Sequence, residues 1–197
     1  SLYKGRTSRL RRYPVEIDMI YIHFPFCSSF CCYCDFYSVT QKGKIMLYKD
    51  ALLREMDSRR GFFSDTLTGK APNTLYIGGG TPSLAPLRFF EDVLAKLSYL
   101  QPFEEFTVEV NPDDIALDYA KGLKSLGVNR ISMGVQSFND AHLRWMNRRH
   151  SARQAREAFD TLREAGFENI SVDLIFGYYP YFGKDIKSTS RLKRTLH

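Results

Sequence analysis

The chain is poor in the features that mark secreted, membrane and nucleic-acid-binding proteins. No apolar run approaches the roughly 18 residues that a membrane span requires, so a soluble protein without a membrane span is expected. The opening stretch from Ser1 to Arg12 is basic and lacks the apolar core of a secretory signal. Internal repeats and low-complexity blocks are absent, and tryptophan occurs once, at Trp145. Cysteine is equally sparse: there are four, all between Cys27 and Cys34, whereas a disulfide framework would spread them along the chain. A basic body is missing too. The formal net charge of +6 comes from the ends, with five Lys and Arg against two acids in residues 1–18 and five against one in 178–197, leaving 18 against 19 in between. Nucleic acid is therefore not an expected partner.

What remains suffices for one core: 197 residues, 44% hydrophobic and 25% charged, make a single sizeable domain and exclude general disorder. The first convincing strand begins at Met19, so residues 1–18 read as a basic N-terminal extension outside the core, and 19–177 as the core domain. After Gly177 the apolar period is lost, and 178–197 read as an aberrant basic tail.

Within the core, strand-like and helix-like periods alternate five times. Strands are expected at Met19–Phe24, Thr74–Gly78, Phe106–Asn111, Arg130–Gly134 and Ile170–Phe176, each rich in Ile, Val, Tyr and Phe. Helices are expected at Lys44–Arg60 with Gly61 as a stop, at Pro86–Leu100, at Asp113–Leu126 closing at Gly127, and at Ala152–Ala165 closing at Gly166. Strands separated by helices imply crossovers and a parallel sheet, hence an α/β fold that is open or barrel-like. In such sheets the chemistry lies at the carboxyl ends of the strands.

The four cysteines follow the first strand directly. Adjacent Cys31 and Cys32 make a poor mutual bridge. Structural zinc needs four closed ligands, which Cys27, Cys31 and Cys34 can supply together with Cys32 or His23. A three-thiolate iron–sulfur site accounts for more: Cys27-x3-Cys31-x2-Cys34 lets one short loop wrap three corners of a cubane cluster and leaves the fourth iron open. Further motifs stand at other strand ends. Gly78-Gly79-Gly80-Thr81-Pro82 lets backbone approach a ligand closely, or is simply a tight turn. Glu109 and Asp173 are acids expected within buried strands, costly unless paired. His142 and His150 read as surface residues on helical stretches, and Trp145 as packing.

The run from Tyr21 to Phe36, YIHFPFCSSFCCYCDF, resembles the radical S-adenosylmethionine (SAM) superfamily, and within it the oxygen-independent coproporphyrinogen III oxidase family with its HemW-type heme-chaperone branch. The resemblance runs from about Met19 to Gly177. It implies a partial (β/α)6 barrel with about five strands present and the C-terminal part missing. It also implies a 4Fe–4S cluster on Cys27, Cys31 and Cys34, with SAM cleaved to a 5′-deoxyadenosyl radical. Cys32 fills a variable position and would be a free thiol. The SAM contacts it implies are Tyr21 beside the sulfonium, the Tyr33 backbone near the adenine, and Gly79, Gly80 and Thr81 at the amino group. Glu109, Gln136 and Asp173 are further contacts, and Arg148 meets the carboxylate, with Arg149 solvated. His23 belongs to a His-x-Pro-x-Cys motif linked to heme in the chaperone branch; a satisfied core histidine is the competing reading.

Two departures bear on function. Phe36 stands where the oxidases carry a further cysteine, which disfavours coproporphyrinogen III dehydrogenation and favours heme binding and transfer to an acceptor hemoprotein. Beyond Gly177 the family's turn and its next βα unit are replaced, so a truncated or frame-shifted copy is expected. The resemblance thus implies a cytoplasmic heme chaperone-like protein binding a 4Fe–4S cluster, SAM and heme. The oxidase, or an inactive fragment whose cysteines hold zinc, are the alternatives. No catalytic residue is assigned.

Overall fold

The computed structural model describes residues 19–66 and 72–177, so the expected extension at 1–18 and tail at 178–197 lie outside the described residues. The strands are β1 (Met19–Phe24), β2 (Thr74–Gly79), β3 (Glu105–Val110), β4 (Arg130–Gln136) and β5 (Asn169–Leu174). They pair in parallel, in the order β1-β2-β3-β4-β5. The helices are α1 (Ile45–Thr66), α2 (Leu87–Lys96), α3 (Leu117–Ser125), α4 (Asp140–Trp145) and α5 (Ala152–Glu164). Each new strand adds beside the previous one, as in a barrel wall.

The sheet has two unlike faces because its strands alternate. In β1 the residues Ile20, Ile22 and Phe24 are buried while Met19 and Tyr21 are exposed. The same face carries Leu75 and Ile77 of β2, Phe106 and Val108 of β3, and Ile131 and Met133 of β4, all packed with Phe89, Val93, Leu123 and Leu162 from the helices. The other face carries Tyr21, Tyr76, Glu109, Ser132 and Asp173. A strand covered on both faces would instead be apolar throughout.

The differences from the sequence expectations are local. Gly61 does not stop α1, which continues to Thr66. A glycine costs a helix only about 1 kcal/mol relative to alanine, too little to end a helix that Ile45, Tyr48, Leu52, Leu53 and Met56 already pack against the core. Asp113 and Asp114 lie in a separate 3-10 turn, and α3 begins at Leu117. The expected Pro86–Leu100 helix divides into α2 and a 3-10 turn at Ser98–Leu100. The helical stretch expected around His142, without stated bounds, is the six-residue α4; its start is signalled by Asn139, whose side chain caps the Ala141 and His142 amides. His150 is not a surface residue: it is only 3% exposed, lies before α5 and not within a helix, and its Nε2 donates to the Val135 carbonyl at 3.0 Å. Asp173 is exposed, not buried, because β5 forms an edge of the described sheet. Among the described residues no helix is long and apolar enough to cross a membrane.

Below the first two strands the core is aromatic. Phe89 meets Phe24 edge-on at 5.4 Å between ring centres and stacks on Tyr48 at 6.4 Å, and all of its surface is buried. Truncating it leaves a cavity directly beneath β1, whose far end carries the thiols. Phe89→Ala is expected to lower unfolding free energy by about 3–5 kcal/mol in denaturant titration. A loss under about 1 kcal/mol would mean this cluster is not what seats β1.

Candidate functional site

At the carboxyl ends of the strands lies an open cavity of about 340 Å³. Its walls come from the loop after β1, the glycine turn after β2, and the ends of β3, β4 and β5. The parallel register explains the convergence: His23 is level with Gly78, Glu109 with Ser132, and Gly134 with Asp173.

Three of the four cysteines, Cys27, Cys31 and Cys34, line this cavity. Cys32 does not. Its thiol points toward α4 and donates to the Trp145 carbonyl at 3.3 Å. Burial pushes the Cys32 thiol above its ordinary value, with the charge of neighbouring Cys31 adding to it. Burial likewise raises Cys34, against the pull of a Phe36 backbone hydrogen bond. The other two thiols have donors beside them: Thr81 Oγ1 donates to Cys27 Sγ at 3.7 Å, and Arg148 Nη1 to Cys31 Sγ at 3.6 Å.

The glycine turn is tied to the thiol loop by backbone. Gly80 N donates to the Phe24 carbonyl at 2.7 Å and Thr81 N to the Phe26 carbonyl at 2.8 Å. A Cβ on Gly80 would stand 2.6 Å from the Phe26 oxygen, so only glycine permits this approach. Gly79 adopts φ 114° and faces the His23 ring, which a Cβ would strike at 2.4 Å. The space these glycines leave is thus filled by the protein's own His23 and thiol loop.

Glu109 is half-buried and doubly held: Tyr76 donates its hydroxyl at 2.7 Å and Gly79 its amide at 2.9 Å. Burial and this bond raise the Tyr76 hydroxyl well above its usual range. Gln136 ends β4 at φ 67°, a left-handed conformation uncommon outside glycine, beside a register shift between Gly134 and Gln136. Such strain, on the order of 1 kcal/mol, persists where the surroundings impose it; here Ile175 N donates to the Gln136 carbonyl. Asp173 accepts from Ser132 Oγ at 3.4 Å. Tyr21 is not in the cavity wall; its hydroxyl meets His23 Nδ1 at 3.1 Å and its ring lies 5.9 Å from that of Tyr76.

Arg148 is the most connected side chain of the site. Nη2 donates to Asn111 Oδ1 at 2.7 Å and to the Gly134 carbonyl at 2.5 Å; Nη1 reaches the Tyr33 hydroxyl at 3.4 Å as well as Cys31. Burial works against its charge, but Tyr33 and Cys31 outweigh burial and raise its affinity for the proton. Burial also raises the Tyr33 hydroxyl. Arg149 is partly exposed yet paired, to Asp113 and to Asp114. Asn111 and Ser83 were not singled out from the sequence. Asn111 Nδ2 donates to Thr81 Oγ1 at 3.2 Å, and Ser83 Oγ accepts from Asn111 N and donates to Asp114. The available signal was the Asn-Pro step that ends the third strand.

The donor set can be tested against the groups the resemblance implies. Among the described residues no three His, Cys, Asp or Glu side chains gather about one point as a single metal ion requires. His23 also has both ring nitrogens engaged: a carbonyl only accepts, so Nε2 donates to the Tyr37 carbonyl at 3.0 Å, and Nδ1 shares a hydrogen bond with the Tyr21 hydroxyl. With Cys32 turned away as well, a closed zinc site lacks a fourth ligand. Three thiols on one cavity wall, each free to take a different iron, fit an iron–sulfur cluster.

The model of the family described as the Radical SAM superfamily matches residues 21–192. The chain is 42% identical over 160 residues to the heme chaperone HemW of Lactococcus lactis, covering 79% of this chain and 40% of that protein. It is 41% identical over 165 residues to HemW of Bacillus subtilis, covering 80% and 42%. Among solved structures it is similar to the coproporphyrinogen III oxidase HemN of Escherichia coli, described as a radical SAM enzyme, at 33% identity and TM-score 0.72, covering 85% of this chain and 39% of that one. The chain thus spans about two fifths of the length of these relatives.

His150, next to this site, generates a pH prediction. Burial first, then the charge of Arg148, hold its imidazole down to about 4 from an ordinary value of 6.5. The native ring therefore stays neutral where the unfolded chain takes up a proton, and stability falls as pH drops from 6.5 towards 4. Relative to His150→Gln, the wild-type chain is expected to lose about 3 kcal/mol between pH 7 and pH 4 in urea titrations. Parallel pH slopes for the two proteins would show that the ring is not buried neutral.

Proposed function

Because the chain belongs to the radical SAM superfamily, we propose that it is a heme chaperone-like protein that holds a 4Fe–4S cluster on Cys27, Cys31 and Cys34 and binds SAM and heme beside it. The observation that carries this reading is the single cavity onto which these three thiols, Glu109, Gln136 and Arg148 converge while Cys32 is turned away. When bound, such a cluster supplies an open iron that chelates SAM and an electron to cleave it.

The chain's own residues divide the remaining work. Thr81 Oγ1 and Arg148 Nη1 donate to the Cys27 and Cys31 sulfurs and so orient them on the cavity wall. Glu109, held by Tyr76 and Gly79, presents a fixed carboxylate for the amino group of SAM, with Gly80 and Thr81 alongside. Arg148 is anchored through Nη2 by its two short bonds, whereas its Nη1 contacts are long. Nη1 is thus the end that turns to the SAM carboxylate. Tyr33, Gln136 and Asp173, which line the same cavity, complete the proposed SAM contacts; Tyr21, outside its wall, acts through His23. Phe36 and Phe30 form an exposed apolar lip on the same cavity, 71% and 57% accessible, suited to the flat face of a porphyrin.

Phe36 also separates chaperone from oxidase, since no thiol stands at that position. The identity to HemW proteins, 35–42% against 33–34% for the oxidases, supports the chaperone reading. A cytoplasmic location, where thiolates stay reduced, and delivery of heme to an acceptor hemoprotein belong to the same proposal.

Anaerobic iron–sulfide reconstitution tests it. The wild-type chain and Cys32→Ser are expected to take up about four irons, and Cys27→Ser, Cys31→Ser and Cys34→Ser far fewer. The loaded protein should bind heme and yield no protoporphyrinogen from coproporphyrinogen III with SAM and a reductant. Uptake of zinc alone, or decarboxylated product, would overturn the cluster reading and the chaperone reading respectively.

A further inference from the structure

The thiol loop from Cys27 to Tyr37 has no helix or strand of its own, and Phe30, Cys34, Asp35, Phe36 and Tyr37 within it are exposed. Burial therefore does little to hold it. Its base is closed by a backbone bridge between Phe26 and Val39, with Cys27 N donating to the Val39 carbonyl at 2.9 Å and Val39 N to the Pro25 carbonyl at 2.7 Å. Its middle, where Cys31 lies, is held from more than a hundred residues away, by the corner that follows α4.

Four successive residues of that corner each reach the loop. The Trp145 carbonyl accepts from the Cys32 thiol, and the Met146 carbonyl accepts from Cys32 N at 3.3 Å. Asn147 Nδ2 donates to the Phe30 carbonyl at 2.6 Å, the shortest of these bonds. Arg148 reaches Cys31 and Tyr33. The corner is itself rigid: Leu143 and Met146 are fully buried, Asn147 N donates to the Arg144 carbonyl and Arg148 N to the Leu143 carbonyl. Asn147 turns the chain with φ 60°, in the left-handed region that asparagine tolerates better than most residues. On its far side the corner is bolted to the sheet, by Arg148 to Asn111 and Gly134 and by His150 to Val135.

We infer that Asn147 is a positioning residue that locks the thiol loop and Arg148 into one unit, so that the thiols and the guanidinium keep a fixed spacing. This rests on the proposed reading, in which the two ends of SAM meet the open iron and Arg148. The backbone of Asn147 aims the Trp145 and Met146 carbonyls at Cys32, its side chain seats Phe30, and the next residue is Arg148. Asn147 itself lies in the cavity wall, but its amide is spent on the Phe30 carbonyl and not on a thiol.

Asn147→Gly removes the amide and keeps the left-handed turn; Asn147→Asp keeps the size but sets an acceptor against the Phe30 carbonyl. In the unloaded chain, maleimide labelling followed by mass spectrometry should find Cys32 reacting more slowly than Cys34. Both substitutions should speed Cys32 about three- to tenfold, the scale of one lost hydrogen bond. In the reconstituted protein, iron content should be unchanged. The SAM-induced change in the paramagnetic resonance of the reduced cluster should need about three- to tenfold more SAM, with Asp the more severe. Wild-type labelling rates and wild-type SAM titrations in both variants would overturn the inference. Failure of the wild-type chain to take up a cluster would instead sink the functional reading, while labelling of the unloaded chain would still decide the clamp.

Discussion

A loop that buries little of its own surface must be held by something else, and here that loop carries the three thiols on which the site depends. Ordering its backbone costs on the order of 1–2 kcal/mol per residue, with little buried apolar area to offset it. The structure meets this cost with hydrogen bonds from three directions. Val39 closes the base, Gly80 and Thr81 dock along the backbone of Phe24 and Phe26, and the corner after α4 holds the middle. His23 adds a tie to the Tyr37 carbonyl at the far end. Apart from Val39, these partners sit at the ends of β1, β2 and α4, so the loop's shape is a property of the whole sheet edge.

The sheet can supply such partners because its two faces do different jobs. One is apolar and packed on helices; the other carries Tyr76, Thr107, Glu109, Ser132 and Asp173, which bond to one another or to neighbouring strands. At its upper rim this polar face runs into the cavity, so no boundary separates fold from site. Arg148 shows the consequence: the guanidinium that faces the thiols is also the brace between the ends of β3 and β4.

Much of this was legible in the sequence, for identifiable reasons. All five strands were readable because alternation such as that of Ile20, Ile22 and Phe24 is a strong signal when one face is buried. The cysteine spacing pointed to the loop because four cysteines in eight residues have few other uses. Where reading failed, the cause was long-range. Nothing local shows that His150 would be enclosed beside Val135 and Arg148, or that β5 would lie at an edge and leave Asp173 open. Cys32 sits among three ligand-type cysteines, and only its distance from Trp145 in space separates it from them. The roles of Asn111 and Asn147 depend on partners 30 and 117 residues away, which a linear reading does not weigh.

The claim on which all else rests is that three thiolates, and only three, hold a cluster whose fourth iron is left for SAM. Mössbauer spectroscopy of the full chain reconstituted with 57Fe, without and with SAM, tests it most directly. The account predicts that SAM addition shifts one quarter of the iron signal and leaves three quarters in place. Four equivalent irons that ignore SAM would contradict it, because Cys32 or another side chain would then close the site.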